Sequence, residues 1–205
     1  MEYLNQTPVA SLILLFTVVT SIYAFNDHTL FGKFMLHPYS VYRKNKIYTI
    51  ITSGMIHADW MHLIFNMITF FFVGFALEAQ IGSLRFGLIY LLSLVLSDIP
   101  SIYKHKDDFW YNSLGASGAI SGVLFSFILF YPLTPFYLFF IPIGIPAVLF
   151  GGLYLLYCAY ASRQSRDNIN HDAHFFGALT GIIITILIVP GIVEHFLSSL
   201  IGGGR

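Results

Sequence analysis

The stretch GASGAISGVLFSFILFY, residues 115–131, sets a serine between small residues at the head of an uninterrupted apolar run. A hydroxyl there acquires chemical meaning beyond packing only beside a base, because serine alone is a weak nucleophile. The chain offers such a base at His174, near the start of its last apolar segment. The rest of the sequence must therefore be read for whether it brings these two residues together.

Composition around that stretch defines the class. Of 205 residues, 57% are hydrophobic and 10% charged, with a mean hydropathy of +0.75. A soluble domain carries about 25% charge, so this chain cannot clothe a water-facing surface and reads as an integral membrane protein, one membrane domain over 1–205. The formal net charge is zero and the basic residues do not cluster, which argues against nucleic acid as a partner. A single cysteine, Cys158, excludes an internal disulfide and reads as buried packing. The opening MEYLNQT lacks the basic flank of a secretory signal, and no small-residue cleavage site follows it, so the first apolar segment is expected to be a retained span.

Six spans are predicted, at residues 8–25, 57–77, 84–103, 114–131, 136–161 and 173–193, which makes the fold class an all-α polytopic bundle. Eighteen apolar residues suffice to cross about 30 Å of hydrocarbon at about 1.5 Å per residue. The connection 26–56 mixes Lys33, Arg43, Lys44 and Lys46 with Phe31, Phe34, Met35, Tyr39 and Tyr42, a pattern suited to the headgroup region. Gly82-Ser83 reads as a tight turn. The fifth span carries Pro142, Pro146 and Gly151-Gly152, which predict a kinked or loosely held helix.

Polar groups inside such spans are expensive and each needs a reading. His62 and Asn66 are four apart and share a helix face, with His57 rotated away and expected at the membrane surface. Helix-to-helix hydrogen bonding is the plain explanation for this set. Ser117 and Ser121, beside Gly118 and Gly122, taken alone read as a close-packing surface. His174, Gly177 and Gly181 form a stripe at offsets of three and seven. Its glycines would admit a neighbouring helix, so docking on the Gly118 helix could carry the His174 imidazole to the Ser117 hydroxyl. Donors of the kind an oxyanion needs are present in the His62 ring, the Asn66 amide and the Ser117 backbone N–H. No carboxylate is obviously placed to orient His174, since Asp172 falls on another helix side; a dyad is the simpler proposal. Asp98 reads as a helix-end carboxylate near the interface.

Three motifs in this set make the chain resemble a rhomboid intramembrane serine protease: His57, His62 and Asn66 as H-x4-H-x3-N, Gly115-Ala116-Ser117-Gly118 as G-x-S-G, and Ala173, His174, Gly177 and Gly181 as A-H-x2-G-x3-G. The resemblance implies that Ser117 is the nucleophile and His174 the general base and acid. His62, Asn66 and the backbone at Ala116 and Ser117 would stabilise the oxyanion, with His57, Gly115, Gly118, Gly177 and Gly181 in supporting positions. It further implies a multi-pass protein of a cell (inner) membrane and a water-filled cavity gated by the fifth helix. Single-span membrane proteins would be the substrates, within membrane lipid, with no metal and no organic cofactor. The oligomeric state is not implied.

Two departures from the family pattern stand out. Many members carry Trp-Arg in the first loop where this chain reads Tyr48-Thr49, so loop anchoring should differ. Some bacterial members stack a tyrosine from four residues beyond the nucleophile on the base; here that residue is Ser121, and packing against Gly118 is expected to orient His174 instead. The charge bias also runs against the family. Lys33, Arg43, Lys44, Lys46, Lys104, Lys106, Arg163 and Arg166 fall on the side of the predicted active-site mouth, against Arg85 and Arg205 on the other. The positive-inside rule turns that mouth to the cytoplasm, whereas the usual bacterial member opens outward, so orientation stays open.

Other readings fit less of the sequence. A rhomboid-like protein that escorts membrane clients without cutting them typically lacks the serine or the histidine. A proton-relay channel would leave Gly115-Ala116-Ser117-Gly118 without a purpose. A zinc protease wants H-E-x-x-H, and an aspartyl type needs a second intramembrane aspartate beside Asp98.

Overall fold

The computed structural model describes residues 5–137, 142–164, 167 and 169–202. Helix α1 (Pro8–Asn26) begins with proline in its first turn, where the missing N–H has no intrahelical acceptor to lose. The first loop then folds into three short helices, α2 (His28–Phe34), α3 (Pro38–Tyr42) and α4 (Thr49–Thr52), and a 3-10 turn at Ser53–Met55. The long helices α5 (Trp60–Ile81) and α6 (Ser83–Lys104) meet at Gly82, whose φ of 81° makes the reversal in one residue. Helix α7 (Ser117–Phe130), a two-stranded hairpin β1 (Pro135–Tyr137) and β2 (Gly144–Pro146), and helices α8 (Ala147–Gln164), α9 (His171–Ile188) and α10 (Ile192–Ile201) complete the chain.

Helix α7 is the axis of the bundle. Every residue from Gly118 to Phe130 is buried, and α5, α6, α8, α9 and α10 all pack on it. A helix apolar all round has no solvent or lipid face to present and belongs in a core. Its 14 residues span only about 21 Å, some 9 Å short of a hydrocarbon layer of about 30 Å. Helices α1, α5, α6 and α9 are each long and apolar enough to cross a membrane. Their outward residues are large and apolar, with Phe72 69% exposed and Leu187 71%. That inverts the pattern of a soluble surface and fits an integral membrane protein.

Small residues set how closely the central helices approach. A Cβ on Gly177 would overlap the Gly118 carbonyl, and one on Gly181 the Gly122 carbonyl, so α9 lies backbone to backbone on α7. On the other side, Ser97 and Ser93 of α6 fill the space a side chain on Gly118 or Gly122 would need. Such small-residue contacts replace the hydrophobic driving force that lipid does not supply. Lower down, Thr185 donates to Ser126 at 2.7 Å and Ser126 donates to the Gly181 carbonyl at 3.2 Å, fixing the axial register.

The element boundaries correct the sequence reading in four places. The second helix starts at Trp60, not at 57, because Asp59 caps it through a 2.8 Å bond to the His62 N–H. His57 therefore precedes the helix. It is also fully buried. The fourth helix starts at Ser117 rather than 114, since Gly115, at a φ of 117°, cannot join it.

The predicted fifth span 136–161 is hairpin first and helix only from Ala147. Prolines 142 and 146 forbid the earlier helical turns, and Pro135 pairs with Pro146, Phe136 with Ile145 and Tyr137 with Gly144. Residues 138–141 of that span lie outside the described residues, as do Arg166 and Arg205. The predicted sixth span 173–193 runs instead from His171 to Ile188. Pro190 and Gly191, at a φ of 80°, break it from α10, which the sequence reading did not anticipate. His195 of α10 reaches the Phe130 carbonyl at 2.9 Å and so caps the far end of α7.

The first loop is anchored to the bundle. Leu36 and Ser113 exchange backbone hydrogen bonds at 2.9 and 3.1 Å. His37 bonds Ser40 Oγ through Nδ1 at 2.7 Å and donates from Nε2 to the Phe109 carbonyl at 2.8 Å. Arg43 lies 3.7 Å above the Tyr39 ring and donates to the Lys106 carbonyl at 2.5 Å. With Thr49 fully buried and Tyr48 half exposed, these contacts do the anchoring for which Tyr48-Thr49 has no Trp-Arg pair.

Candidate active site

The three motifs converge at one end of α7. Ser117 is the first residue of that helix, placed there by the positive φ of Gly115 and by Ala116, which is fully buried. The Gly115 N–H donates to the Ser53 carbonyl at 2.9 Å and ties this entry to the 3-10 turn. The first N–H groups of a helix have no intrahelical acceptor and carry its positive dipole end. Ser117 thus stands where backbone donors point outward.

His174 lies one turn into α9, and its Nε2 is 2.7 Å from Ser117 Oγ. Asn170 sets the start of α9: its Oδ1 accepts from the Ala173 N–H at 3.0 Å and from Ser101 Oγ at 2.8 Å, while its Nδ2 donates to Ser113 Oγ at 3.1 Å. One side chain therefore joins α6, the loop before α7 and the α9 N-terminus. The glycine contacts one and two turns below hold the two helices at the spacing that this bond needs. Asp172 is engaged elsewhere, bonding Lys104 Nζ at 2.6 Å.

What flanks His174 is a ring the sequence reading missed. Tyr154 of α8 lies nearly parallel to the imidazole, at 15° and 6.3 Å between centroids, and its hydroxyl is 2.9 Å from Ser121 Oγ. At Gly118 the space a side chain would take is filled by Ser97 of α6 and the Ala173 carbonyl of α9. Serine at position 121 leaves room for an aromatic ring from another helix and supplies the hydroxyl that holds it. Tyr154 is the eighth residue of an apolar helix, and only the vacancy implied by Ser121 could have pointed to it.

His62 and Asn66 lie one turn apart on α5, which packs on α7. The His62 ring packs on Gly115 so closely that a Cβ there would lie 2.6 Å from its Cε1 and 2.8 Å from its Nε2. Glycine is required at 115 both for this contact and for its φ. Asn66 is buried, and its Nδ2 has no hydrogen-bond partner among the described residues. An unsatisfied buried donor costs about 1–3 kcal/mol, a burden that an incoming acceptor would lift. His57 forms a layer behind them: its Nδ1 is 3.0 Å from Ser21 Oγ and its ring meets His62 edge to face at 4.8 Å. Burial, reinforced by His62, holds the His57 ring below the usual histidine range and keeps it neutral.

Two acidic positions differ from expectation or lie apart. Asp98 is buried within α6 (Ser83–Lys104) rather than at its end, and its Oδ2 has no partner among the described residues. Glu78, at the end of α5, is buried away from Ser117 and binds the start of α1.

A central helix headed by a serine and clasped by a histidine-bearing helix organises a polytopic helical membrane protein. The chain belongs to the rhomboid family: residues 44–191 match the Rhomboid domain. It is 34% identical over 142 residues to YdcA of Bacillus subtilis, described as a candidate rhomboid protease, covering 68% of this chain and 66% of that one. It is 26% identical over 175 residues to RHOMBOID-like protein 12, mitochondrial, of Arabidopsis thaliana, covering 78% and 51%. With Rhomboid protein 1, mitochondrial, of Saccharomyces cerevisiae it shares 25% identity over 173 residues, 77% and 46% of the two chains. The chain thus spans about half to two thirds of the length of these relatives.

Proposed function

We propose that the protein is an intramembrane serine endopeptidase acting through a Ser117–His174 dyad. The observation that carries this reading is the 2.7 Å approach of Ser117 Oγ to His174 Nε2 at the head of a short, buried helix. In the first step Nε2 takes the hydroxyl proton while Oγ attacks the scissile carbonyl carbon. The developing oxyanion is met by the Asn66 amide, the His62 ring and the free N–H groups at the start of α7. The imidazolium then returns its proton to the leaving amine, and the acyl-enzyme ester forms. Water enters, gives a proton to His174, attacks the ester and releases the new carboxylate with Ser117 restored.

The shortness of α7 supports a site recessed below the membrane surface. Substrates would be single-span membrane proteins with small residues at the cut and a helix that unwinds there, approaching past α8. Membrane lipid is the solvent, and no step calls for a metal or organic cofactor. Location in a cell membrane as a multi-pass protein belongs to the same proposal.

The test uses liposomes holding the protein and a single-span reporter with a small-residue, helix-breaking segment, in water enriched in the heavy oxygen isotope. Wild type should release fragments whose new carboxylate carries the label, and Ser117→Ala should release none. Retention of the reporter without cleavage by both proteins would replace this reading with client escort.

A further inference from the structure

Behind the catalytic pair lie two donors that the mechanism does not use, Cys158 and His171, close to its base, His174. One donor atom from each of Cys158, His171 and His174 lies within 4.8 Å of the other two. Cys158 comes from α8 and is fully buried; the two histidines are one turn apart on α9. The His171 side chain is 3% exposed, and its Nε2 lies 3.1 Å from both carboxylate oxygens of Asp167. A carboxylate at that distance fixes the ring proton on Nε2 and leaves Nδ1 with a bare lone pair. That Nδ1 is buried and has no hydrogen-bond partner among the described residues. A buried histidine with one nitrogen backed by a carboxylate and the other unpartnered, beside a thiol and a second imidazole, has the surroundings of a zinc ligand.

We propose that Cys158, His171 and His174 form an inhibitory site for Zn2+, with water as the fourth ligand. The inference rests on the dyad reading for its consequence but not for its existence. Tetrahedral zinc bound at about 2.3 Å to sulfur and about 2.0–2.1 Å to nitrogen sets its ligands roughly 3.5 Å apart. The three groups therefore need to close by about 1 Å, a side-chain adjustment. As the Zn–S bond forms, the Cys158 thiol releases its proton to solvent. Either ring nitrogen of His174 then gives the same outcome. At Nε2 the ion displaces the Ser117 hydroxyl; at Nδ1 it forces the ring proton onto Nε2, which can no longer accept from Ser117. The ion also joins α8 to α9, so it would hold the gate helix against the base that it flanks.

The test titrates the full chain in detergent with Co2+ alone and then displaces it with Zn2+. Wild type is expected to develop a near-ultraviolet thiolate-to-cobalt band that zinc removes, while Cys158→Ala and His171→Gln develop none. In parallel, fluorophosphonate labelling of wild type should be lost on adding zinc and restored by chelation. Cys158→Ala should label like wild type without zinc and need at least tenfold more zinc for the same loss. No band in folded wild type, or equal zinc sensitivity in wild type and both variants, would overturn the proposal. A thiolate band in a chain whose serine never labels would keep the metal site and remove the protease reading.

Discussion

At Asn66 the side chain matters through what it lacks. Its buried Nδ2 has no acceptor among the described residues, so it is available without reorganisation when an oxyanion forms. Loss of one such donor costs about 10²–10³-fold in turnover. Asn66→Ala is expected to lower kcat by that factor with KM nearly unchanged, read by cleavage kinetics in liposomes; an effect confined to KM would assign it to substrate binding instead. Ser117, His174, His62 and Asn66 could be singled out in the sequence because each sits in a short local motif and polar groups are costly inside a membrane. Tyr154 was not, because one tyrosine in an apolar helix looks like packing, and its partner Ser121 lies 33 positions away. Tyr154→Phe keeps the stack but loses the hydroxyl contact, and should cost several-fold in kcat. Tyr154→Ala also gives up an aromatic pairing worth about 0.5–1.5 kcal/mol and should cost tenfold or more. Equal activity of the two would show that the ring does not position His174.

Helix ends decide where these residues sit. Helices α1, α5, α6 and α9 were readable from apolar length, but the limits of the elements were set by single residues: the Asp59 cap, the positive φ of Gly115 and Gly191, and the prolines at 142, 146 and 190. The hairpin was hidden because its apolar residues suit a strand as well as a helix. The glycine contact between α7 and α9 gives the sharpest test at this scale. A methyl at Gly177 would overlap the Gly118 carbonyl, whereas one at Gly152 meets nothing within 4 Å. Gly177→Ala should cost about 1–3 kcal/mol by overpacking and nearly abolish turnover by parting Ser117 from His174. Gly152→Ala should leave thermal stability unchanged or slightly raised. Equal unfolding temperatures and activities for the two variants would contradict the backbone-to-backbone packing.

Across the whole molecule, polar bonds hold α1 near both of its ends. Near its start, Glu78 accepts from the Val9 and Ala10 N–H groups at 3.0 and 2.6 Å and from the Ser83 hydroxyl at 2.6 Å. Near its other end, Thr20 and Ser21 donate to the Met55 carbonyl, and Ser21 also meets His57. Hydrogen bonds to a charged group contribute about 1.5–3 kcal/mol each. Glu78→Ala should therefore destabilise the fold by about 3 kcal/mol or more, seen as a lower thermal midpoint in detergent; an unchanged midpoint would mean that α1 is held by lipid-like packing alone. The same frame keeps His57 behind His62 and so reaches the site. The central claim, that this bundle activates Ser117 through His174, is tested most directly by fluorophosphonate labelling of the purified protein. The expected result is labelling of wild type that vanishes in both Ser117→Ala and His174→Ala. Labelling that persists in Ser117→Ala, or is missing from folded wild type, would contradict it.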